Sequence, residues 1–170
     1  RVLFRSGGVL KGGRRKIDTV ESRSMLSLDG DRITKEFLEE FEATFPYTSV
    51  LYTTHSSTEE NPRARIVCPL TRDVAPEEFV AVSRYVAQML GIDYFDECSY
   101  LPNQLMYWPS TPQNGVFVYK ETDGGWLDPD EILNAHPEWT DPTRLTSSSR
   151  ESNANSVTQQ KVQDPLSKEG

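Results

Sequence analysis

The sequence lacks several features that mark common protein classes. It has no uninterrupted run of 18 apolar residues, so no segment is predicted to span a membrane. Its two cysteines, Cys68 and Cys98, have no CxxC spacing and lie in apolar or strand-like segments, which predicts buried, reduced thiols and a cytosolic protein. Its only two histidines, His55 and His136, are 81 residues apart. This excludes a rolling-circle nuclease, which needs paired metal-binding histidines near a nucleophilic tyrosine.

Apolar residues are also scarce, at 36% of the chain. The shortage is concentrated near the end, where residues 146–163 include only three apolar side chains. So polar a segment cannot bury enough surface to offset the entropy lost on ordering. We therefore predict that residues 139–170 are a low-complexity linker or tail leading to a C-terminal region absent from this chain. Residues 1–6, "RVLFRS", lack a starting Met and a signal-peptide pattern and resemble a non-native leader, which leaves residues 7–138 as the predicted domain.

Positive charge is distributed unevenly along the chain. The formal net charge is −8, yet residues 1–25 hold seven Lys or Arg against two acidic residues. The segment "LKGGRRK" contributes Lys11, Arg14, Arg15 and Lys16. Glycine beside clustered arginine is typical of a loop that wraps phosphates, and it also fits a solvated basic turn. Composition alone leaves both interpretations open.

Short β-rich segments alternate irregularly with amphipathic helices. Strands are predicted at residues 24–29, 48–54, 63–70, 104–108 and 115–120. One helix is predicted from Thr34 to Pro46, and a second from Pro76 to Gly91. The buried stripe predicted for the second helix consists of Phe79, Val82, Val86 and Met89. A short helix is predicted from Asp128 toward Leu133. This order predicts an α+β sandwich rather than a long parallel sheet.

Two carboxylates follow the first predicted strand, in "SMLSLDGD" at residues 24–31. Residues i and i+2 of a strand point to the same face, so Asp29 and Asp31 would present their carboxylates together. The backbones of these two residues would lie about 6 to 7 Å apart, which allows their carboxylate oxygens to bind a shared Mg²⁺ or Mn²⁺ ion. A turn that closes a strand explains the same two residues, so the pair alone leaves both interpretations open.

A histidine and two arginines follow on the next two strands. His55 directly follows one strand, and Arg63 and Arg65 lie at positions i and i+2 of the other. Across a hairpin these side chains can converge on an anionic ligand such as a triphosphate. A hydrogen-bonded histidine and an exposed edge strand explain the same pattern.

A third carboxylate is available before the strand at residues 104–108. Asp96 is one choice and Asp93 is the competing one. Three carboxylates from separate segments, together with a histidine and arginines, are the residue types used in metal-assisted phosphoryl transfer.

The order of these motifs resembles one known superfamily. The motifs, in chain order, are "GGVLKGGRRK", "SRSMLSLDGD", "YTTHSSTEENPRARIVCPL" and "LMYWPS". They resemble the archaeo-eukaryotic primase superfamily and, more narrowly, the N-terminal primase-polymerase domain of phage and prophage primase-helicases. The resemblance covers residues 7 to about 133. It implies an RRM-like antiparallel sheet with flanking helices.

The resemblance also implies a role for each candidate residue. The implied catalytic residues, which are also the implied ligands of Mg²⁺ or Mn²⁺, are Asp29, Asp31 and Asp96. Asp96 is preferred to Asp93 because its distance of eight residues from position 104 fits the family pattern. The implied nucleotide-binding residues are His55, Arg63, Arg65 and Gln104. Relatives generally carry arginine in place of Gln104, a difference expected to weaken nucleotide binding. The implied nucleic-acid-binding residues are Lys11, Arg14, Arg15 and Lys16.

Two functions are compatible with this sequence. The first is a DNA primase-polymerase that makes or extends primers in phage or mobile-element replication by a two-metal, template-dependent nucleotidyl transfer. Its partners would be single-stranded DNA, nucleoside triphosphates and a C-terminal helicase or ATPase region, in the cytoplasm of a bacterial host. The second is a non-catalytic, primase-like domain of a replication initiator that binds single-stranded DNA or nucleotide.

Overall fold

A five-stranded antiparallel sheet forms the centre of the fold. The computed structural model describes residues 4–5 and 7–151 of the 170-residue chain. The strands are β1 (Phe4–Arg5), β2 (Gly8–Leu10), β3 (Val20–Gly30), β4 (Ser49–Thr53), β5 (Ala64–Val74), β6 (Met106–Tyr107) and β7 (Tyr119–Thr122). The order in the main sheet is β2-β3-β5-β4-β7, and β1 pairs separately with β6. The two 11-residue strands, β3 and β5, are therefore neighbours at the centre.

Within the described residues, three α-helices whose full extent is seen begin where the sequence predicts. They are α1 (Lys35–Thr44), α2 (Pro76–Leu90) and α3 (Pro129–Ala135). The Thr34 hydroxyl accepts a hydrogen bond from the Phe37 N–H at 3.2 Å and caps α1. Pro76 occupies the first turn of α2, and Gly91 ends that helix with φ at 101°, a conformation that favours glycine. Among the described residues, no helix is long and apolar enough to cross a membrane.

Short 3₁₀ helices occupy several of the connections. They span Lys11–Gly13, Ile17–Thr19, Ile92–Tyr94, Glu97–Tyr100, Pro137–Thr140 and Pro142–Arg144. The helix at Glu97–Tyr100 belongs to the segment between α2 and β6, which returns to the end of β3.

Alternation along the strands separates a core face from an open face. Leu28 of β3, Leu51 of β4 and Ile66 of β5 are fully buried and pack in one cluster with Phe41 of α1 and Val82 of α2. Side chains at the intervening strand positions point to the opposite face of the sheet. The predicted α+β fold, with an RRM-like antiparallel sheet and flanking helices, is confirmed.

Several strand boundaries differ from the predicted ones. β3 begins at Val20, four residues early, because residues 20–23 pair with β2, and β5 continues to Val74, which pairs with Arg23 of β3. Of predicted residues 104–108, only two form a strand. The last strand begins at Tyr119 rather than at residue 115, and the exposed side chains of Val116 and Phe117 have no buried face to join.

Two burial predictions are wrong. Met89 is 49% exposed, because the buried stripe of α2 continues to the partly buried Leu90, a spacing of four residues that the 3.6-residue repeat allows. Cys98 is exposed, whereas Cys68 is buried as predicted. Burial raises the pKa of the Cys68 thiol to about 12.

Both ends of the predicted domain differ from the described structure. The linker was predicted to begin at Trp139, but Trp139 and Leu145 pack against the core. Farther along, Arg84 of α2 donates to the backbone oxygen of Thr146 at 2.8 Å and forms an ion pair with Glu151. At the other end, Phe4–Arg5, within the predicted leader, pairs with β6. Residues 152–170 of the predicted tail lie outside the described residues.

Candidate active site

Asp29 lies near the end of β3, and the register of the sheet determines its neighbours. Asp29 lies opposite Arg65 of β5, and Arg65 lies opposite Tyr52 of β4. Residues directly opposite each other in a sheet project from the same face. A carboxylate, a guanidinium and a phenol therefore form a row across three strands on the open face.

Arg65 connects this row to the segment that carries β6. Its Nε and Nη2 atoms donate to the two carboxylate oxygens of Asp29, with Nη2 2.9 Å from Oδ2, and the two side chains are 8% and 19% exposed. Its Nη1 donates to the backbone oxygen of Tyr107 at 2.9 Å, which also accepts from the Tyr52 hydroxyl at 3.4 Å. Burial disfavours the charged guanidinium, but the hydrogen bonds and charge of Asp29 outweigh it, so the pKa of Arg65 is raised. Arg65 thus connects the Asp29 carboxylate of β3 to the backbone of Tyr107 in β6.

The segment around Asp96 docks on the same end of β3. The Asp96 N–H donates to the backbone oxygen of Asp29 at 2.8 Å, and the Asp29 N–H donates to the Ser99 hydroxyl at 2.9 Å. The Asp96 carboxylate accepts from the Cys98 N–H at 3.0 Å and caps the 3₁₀ helix that follows. These backbone contacts bring a carboxylate from a distant part of the sequence beside Asp29.

Asp31 and His55 make weaker contacts at the more exposed side of the site. An oxygen of Asp31 lies 3.5 Å from Nη1 of Arg63, and both side chains are about 40% exposed (39% and 42%). An ion pair this exposed contributes little to stability, so Arg63 can exchange Asp31 for another anion at low cost. Nδ1 of His55 lies 3.3 Å from the hydroxyl of Ser110.

These side chains line one cavity of about 930 Å³. The predicted residues that line it are Asp29, Asp31, Asp96, His55 and Arg65. Its other lining residues are Tyr52, Thr54, Ser56, Tyr107, Trp108, Pro109 and Ser110. A cavity of this volume is in the range of small-molecule sites. Three carboxylates, a histidine and an arginine therefore line the same cavity.

Comparison with known proteins gives both a family and a similar fold. Residues 4–148 match the family model described as the VapE N-terminal domain. The chain belongs to the VapE N-terminal domain family. Its structure is similar to "Cyanophage S-2L Primase-Polymerase (PrimPol), AEP domain (PP-N190)", with a TM-score of 0.54 and 16% sequence identity. That alignment covers 74% of this chain and 66% of the cyanophage chain, just under two thirds. No match was found among curated proteins.

These findings confirm the predicted resemblance to the archaeo-eukaryotic primase fold. The VapE-type domain also carries candidate residues that lie outside the cavity. Gln104 does not line it, and its backbone oxygen accepts from Arg23 at 3.3 Å. Asp93 accepts from the Ser149 N–H at 2.7 Å and is not among the lining residues, so the geometry favours Asp96 as the third carboxylate.

The basic loop of this VapE-type domain, defined as residues 11–16, is exposed and separate from the cavity. Its glycines Gly12 and Gly13 have φ values of 62° and 66°, which turn the chain sharply. Arg15 donates to the backbone oxygen of Asn103 at 2.9 Å, which joins the loop to the segment before β6. The loop therefore lies next to the site's supporting segment rather than within the site.

Sequence reasoning gave no role to three residues that shape the cavity, namely Tyr52, Tyr107 and Trp108. The alternation of β4 places Tyr52 on the face opposite Leu51, which is a usable signal once the core face is known. The motif "LMYWPS" contained Tyr107 and Trp108 without indicating that the backbone oxygen of Tyr107 would accept from Arg65. That contact depends on long-range docking that no local pattern encodes.

Arg23 also supports this segment. It is 2% exposed, and its guanidinium lies 4.3 Å from the centre of the Phe79 ring. Its Nη1 donates to the backbone oxygen of Pro102 at 2.7 Å. Burial lowers the pKa of Arg23 to about 10. Arg23 is one of the seven Lys or Arg within residues 1–25, but its contacts are to the interior of this VapE-type domain.

The three carboxylates fit a divalent ion in chemical type, because Mg²⁺ and Mn²⁺ prefer oxygen ligands. They are not gathered around one point. Among the described residues, no group of three or more His, Cys, Asp or Glu side chains is close enough to hold a metal ion. Both carboxylate oxygens of Asp29 contact Arg65. An ion at Asp29 would therefore share that carboxylate with Arg65 or displace the guanidinium.

Proposed function

We propose that this domain binds a nucleoside triphosphate and a single-stranded DNA template and catalyses template-dependent nucleotidyl transfer. The observation that carries the proposal is the cavity in which Asp29, Asp31, Asp96 and His55 meet. These residues come from three separate parts of the chain, and the primase-type fold is the scaffold that brings them together. Their chemistry suits phosphoryl transfer better than acyl or hydride transfer, because the site offers acids and cations around a space of nucleotide size.

Each side chain has a role in this proposal. Asp29, Asp31 and Asp96 would hold Mg²⁺ or Mn²⁺ after their carboxylates move closer together, and the ion would supply the positive charge that favours ionisation of the attacking 3′-hydroxyl and departure of pyrophosphate. His55, oriented by Ser110, and the loosely paired Arg63 contact the triphosphate. Arg65 is already committed to Asp29 and Tyr107, so its proposed role changes from phosphate contact to positioning.

The second candidate function is a domain that binds single-stranded DNA or nucleotide without catalysis. One observation favours it: Arg65 contacts both carboxylate oxygens of Asp29, leaving that acid less available to a metal ion. Gln104, in place of the arginine of relatives, points the same way. In either case the proposed setting is a longer phage or mobile-element replication protein, with a helicase or ATPase region, in the cytoplasm of a bacterial host.

Primer extension tests the proposal. The assay measures extension of a primed DNA template with Mn²⁺, dNTPs and NTPs by the chain, by Asp31→Ala and by Asp18→Ala. Asp31 is the better target because removing it leaves the Asp29–Arg65 pair intact, and Asp18 is an exposed aspartate outside the cavity. Binding of Mn²⁺, followed by electron paramagnetic resonance, gives a readout independent of turnover.

We expect extension by the chain and by Asp18→Ala, and at least a ~100-fold loss with weaker Mn²⁺ binding in Asp31→Ala, since electrostatic groups at such sites contribute about 10² or more in rate. Equal extension by Asp31→Ala would overturn the catalytic assignment. If the unaltered chain binds nucleotide and single-stranded DNA but never extends a primer, the binding function replaces it.

A further inference from the structure

An exposed aromatic side chain continues the row of cavity residues to the edge of the sheet. Tyr119 of β7 lies opposite Tyr52, which lies opposite Arg65, which in turn lies opposite Asp29. Tyr119 therefore projects from the open face in the same row as the cavity. Three strand spacings of about 4.8 Å put its backbone roughly 14 Å from that of Asp29.

The neighbouring side chain of β7 confirms this orientation. Lys120 points to the helical face, where its Nζ lies 2.9 Å from a carboxylate oxygen of Glu42 on α1. Phe117, two residues before Tyr119, stacks on it, with ring centres 6.5 Å apart and planes at 20°. Phe117 and Tyr119 are 51% and 50% exposed. Two nearly parallel rings thus present a flat apolar surface to solvent, which we call the edge pair.

The edge pair is connected to the cavity through the backbone. The Thr53 N–H donates to the backbone oxygen of Val118 at 3.0 Å, and the Val118 N–H donates to the Thr53 hydroxyl at 3.0 Å. This pairing extends the alignment of β4 and β7 by one residue, and Thr54, the next residue of the chain, lines the cavity. Tyr52, opposite Tyr119, and Tyr107, which is 63% exposed, both line the cavity. The row that contains Tyr119 therefore leads to aromatic residues of the cavity.

The charges nearby indicate which part of a ligand would contact each region. The Tyr119 hydroxyl donates to the carboxylate of Glu121, so the edge pair carries an acidic neighbour that repels phosphate. The cations nearest the cavity are Arg65, which lines it, and Arg63, which pairs with the lining residue Asp31. A ligand with flat uncharged faces at one end and phosphates at the other matches this arrangement. Duplex DNA keeps its base faces stacked internally, whereas single strands expose them.

We propose that Phe117 and Tyr119 form a stacking surface for unpaired bases of a single-stranded nucleic acid that runs along the open face of the sheet toward the cavity. This deepens the proposed function, on which it rests, by assigning the template strand a place on the open face. Aromatic side chains on the open sheet of RRM domains bind single strands in this way, and such stacking tolerates any base. The basic loop is then a second, purely electrostatic contact.

The test is affinity for a fluorescent oligothymidine of about 12 nucleotides, within the usual site size for one domain, measured by anisotropy. The variants are Phe117→Ala, Tyr119→Ala, their combination and Tyr119→Phe, which retains the ring. Trp126→Ala is the matched control, because Trp126 is an aromatic side chain that is 60% exposed but lies away from the edge pair. Its neighbour Gly125 accepts a hydrogen bond from the Thr48 N–H, just before the end of β4 that is remote from Thr53. Binding of a fluorescent dATP analogue reports whether the cavity is intact.

We expect the double variant to bind the oligonucleotide at least ~10-fold more weakly, the single variants to be intermediate, and Tyr119→Phe and Trp126→Ala to match the unaltered chain. Analogue binding should not change. Equal oligonucleotide affinity in the double variant overturns the proposal, and so does an unaltered chain that binds no single-stranded DNA. If the double variant only changes the oligomeric state, the edge pair is a contact between copies and the proposal fails.

These outcomes separate this proposal from the proposed function. If the unaltered chain never extends primers but binds single strands through the edge pair, the enzymatic function is rejected and the stacking surface is supported. If the double variant extends primers and binds template normally, the proposed stacking surface is rejected and the proposed enzymatic function is retained.

Discussion

At the scale of single residues, Arg65 is the side chain that joins the most parts of the site through hydrogen bonds. It is the cation opposite Asp29, and its third hydrogen bond fixes the Tyr107 backbone. Removing it would leave the 19%-exposed Asp29 carboxylate without its counter-ion. We expect Arg65→Gln to lower the free energy of unfolding by about 2 kcal/mol, less than the 3–5 for fully buried pairs because Asp29 retains some contact with water.

A double-mutant cycle in urea measures the interaction itself. The set comprises the unaltered chain, Arg65→Gln, Asp29→Asn and the double variant, and the double variant should be about 1–2 kcal/mol more stable than additivity predicts. The matched control is the same cycle on Arg63 and Asp31, whose side chains are 42% and 39% exposed and whose coupling should be below ~0.5 kcal/mol. Additive losses at Arg65 and Asp29 would contradict the positioning role.

At the scale of elements, the chain from Pro137 to Glu151 behaves as part of the domain. Arg84 of α2 donates to both carboxylate oxygens of Glu151, at 2.6 and 3.0 Å, and the two side chains are 16% and 15% exposed. The hydrogen bonds from Arg84 lower the pKa of Glu151. Because that folded-state pKa lies below the ordinary value, the stability it contributes is present above about pH 4.5 and is lost as the pH falls through the lowered value.

We therefore expect Glu151→Gln to cost about 1–2 kcal/mol of unfolding free energy at pH 7, the range for hydrogen bonds to charged groups. The difference should shrink as the pH falls below about 4.5, because the unfolded-state glutamate takes up its proton first and the folded-state glutamate follows only at its lowered pKa. Urea unfolding at pH 7, 5 and 3 measures it. Glu59→Gln, at an exposed pair with Lys35, should have almost no effect at any of these pH values. If Glu151→Gln lowered the free energy of unfolding equally at all three pH values, the ion pair with Arg84 would not be the source of the stabilisation.

Elements also show where sequence reasoning succeeds. Helices α1 and α2 were predicted closely because caps, a first-turn proline and a 3.6-residue repeat are local signals. The segment after Trp139 was predicted as linker because composition averages over residues, whereas Trp139, Leu145 and one ion pair are enough to dock it. Motif order named Asp29, Asp31, Asp96, His55 and Arg65, which line the cavity, but it also named Arg63 and Gln104, which do not. It could not predict that Arg65 would contact Asp29, because that depends on the register of two distant strands.

At the scale of the whole molecule, the basic loop and the edge pair are two surfaces proposed to bind one nucleic-acid strand, and they differ in charge. The chain carries a net charge of −8, yet the exposed basic loop holds Lys11, Arg14, Arg15 and Lys16. Phosphate contacts release counterions and make affinity fall with salt, whereas base stacking on the edge pair does not. The two contacts should therefore respond differently to ionic strength.

The combined variant Lys11→Ala/Arg14→Ala makes this separation measurable. If both cations neutralise phosphates of single-stranded DNA, the slope of log affinity against log salt should decrease in magnitude by up to about 1.4, at roughly 0.7 for each phosphate no longer neutralised. Lys35→Ala/Lys120→Ala removes the same charge at residues already paired with Glu59 and Glu42, so its slope should match that of the unaltered chain. Alanine at Phe117 and Tyr119 should weaken binding at every salt concentration without changing the slope. A loop variant with an unchanged slope would leave residues 11–16 as a solvated turn, and template binding would then depend on the open face of the sheet.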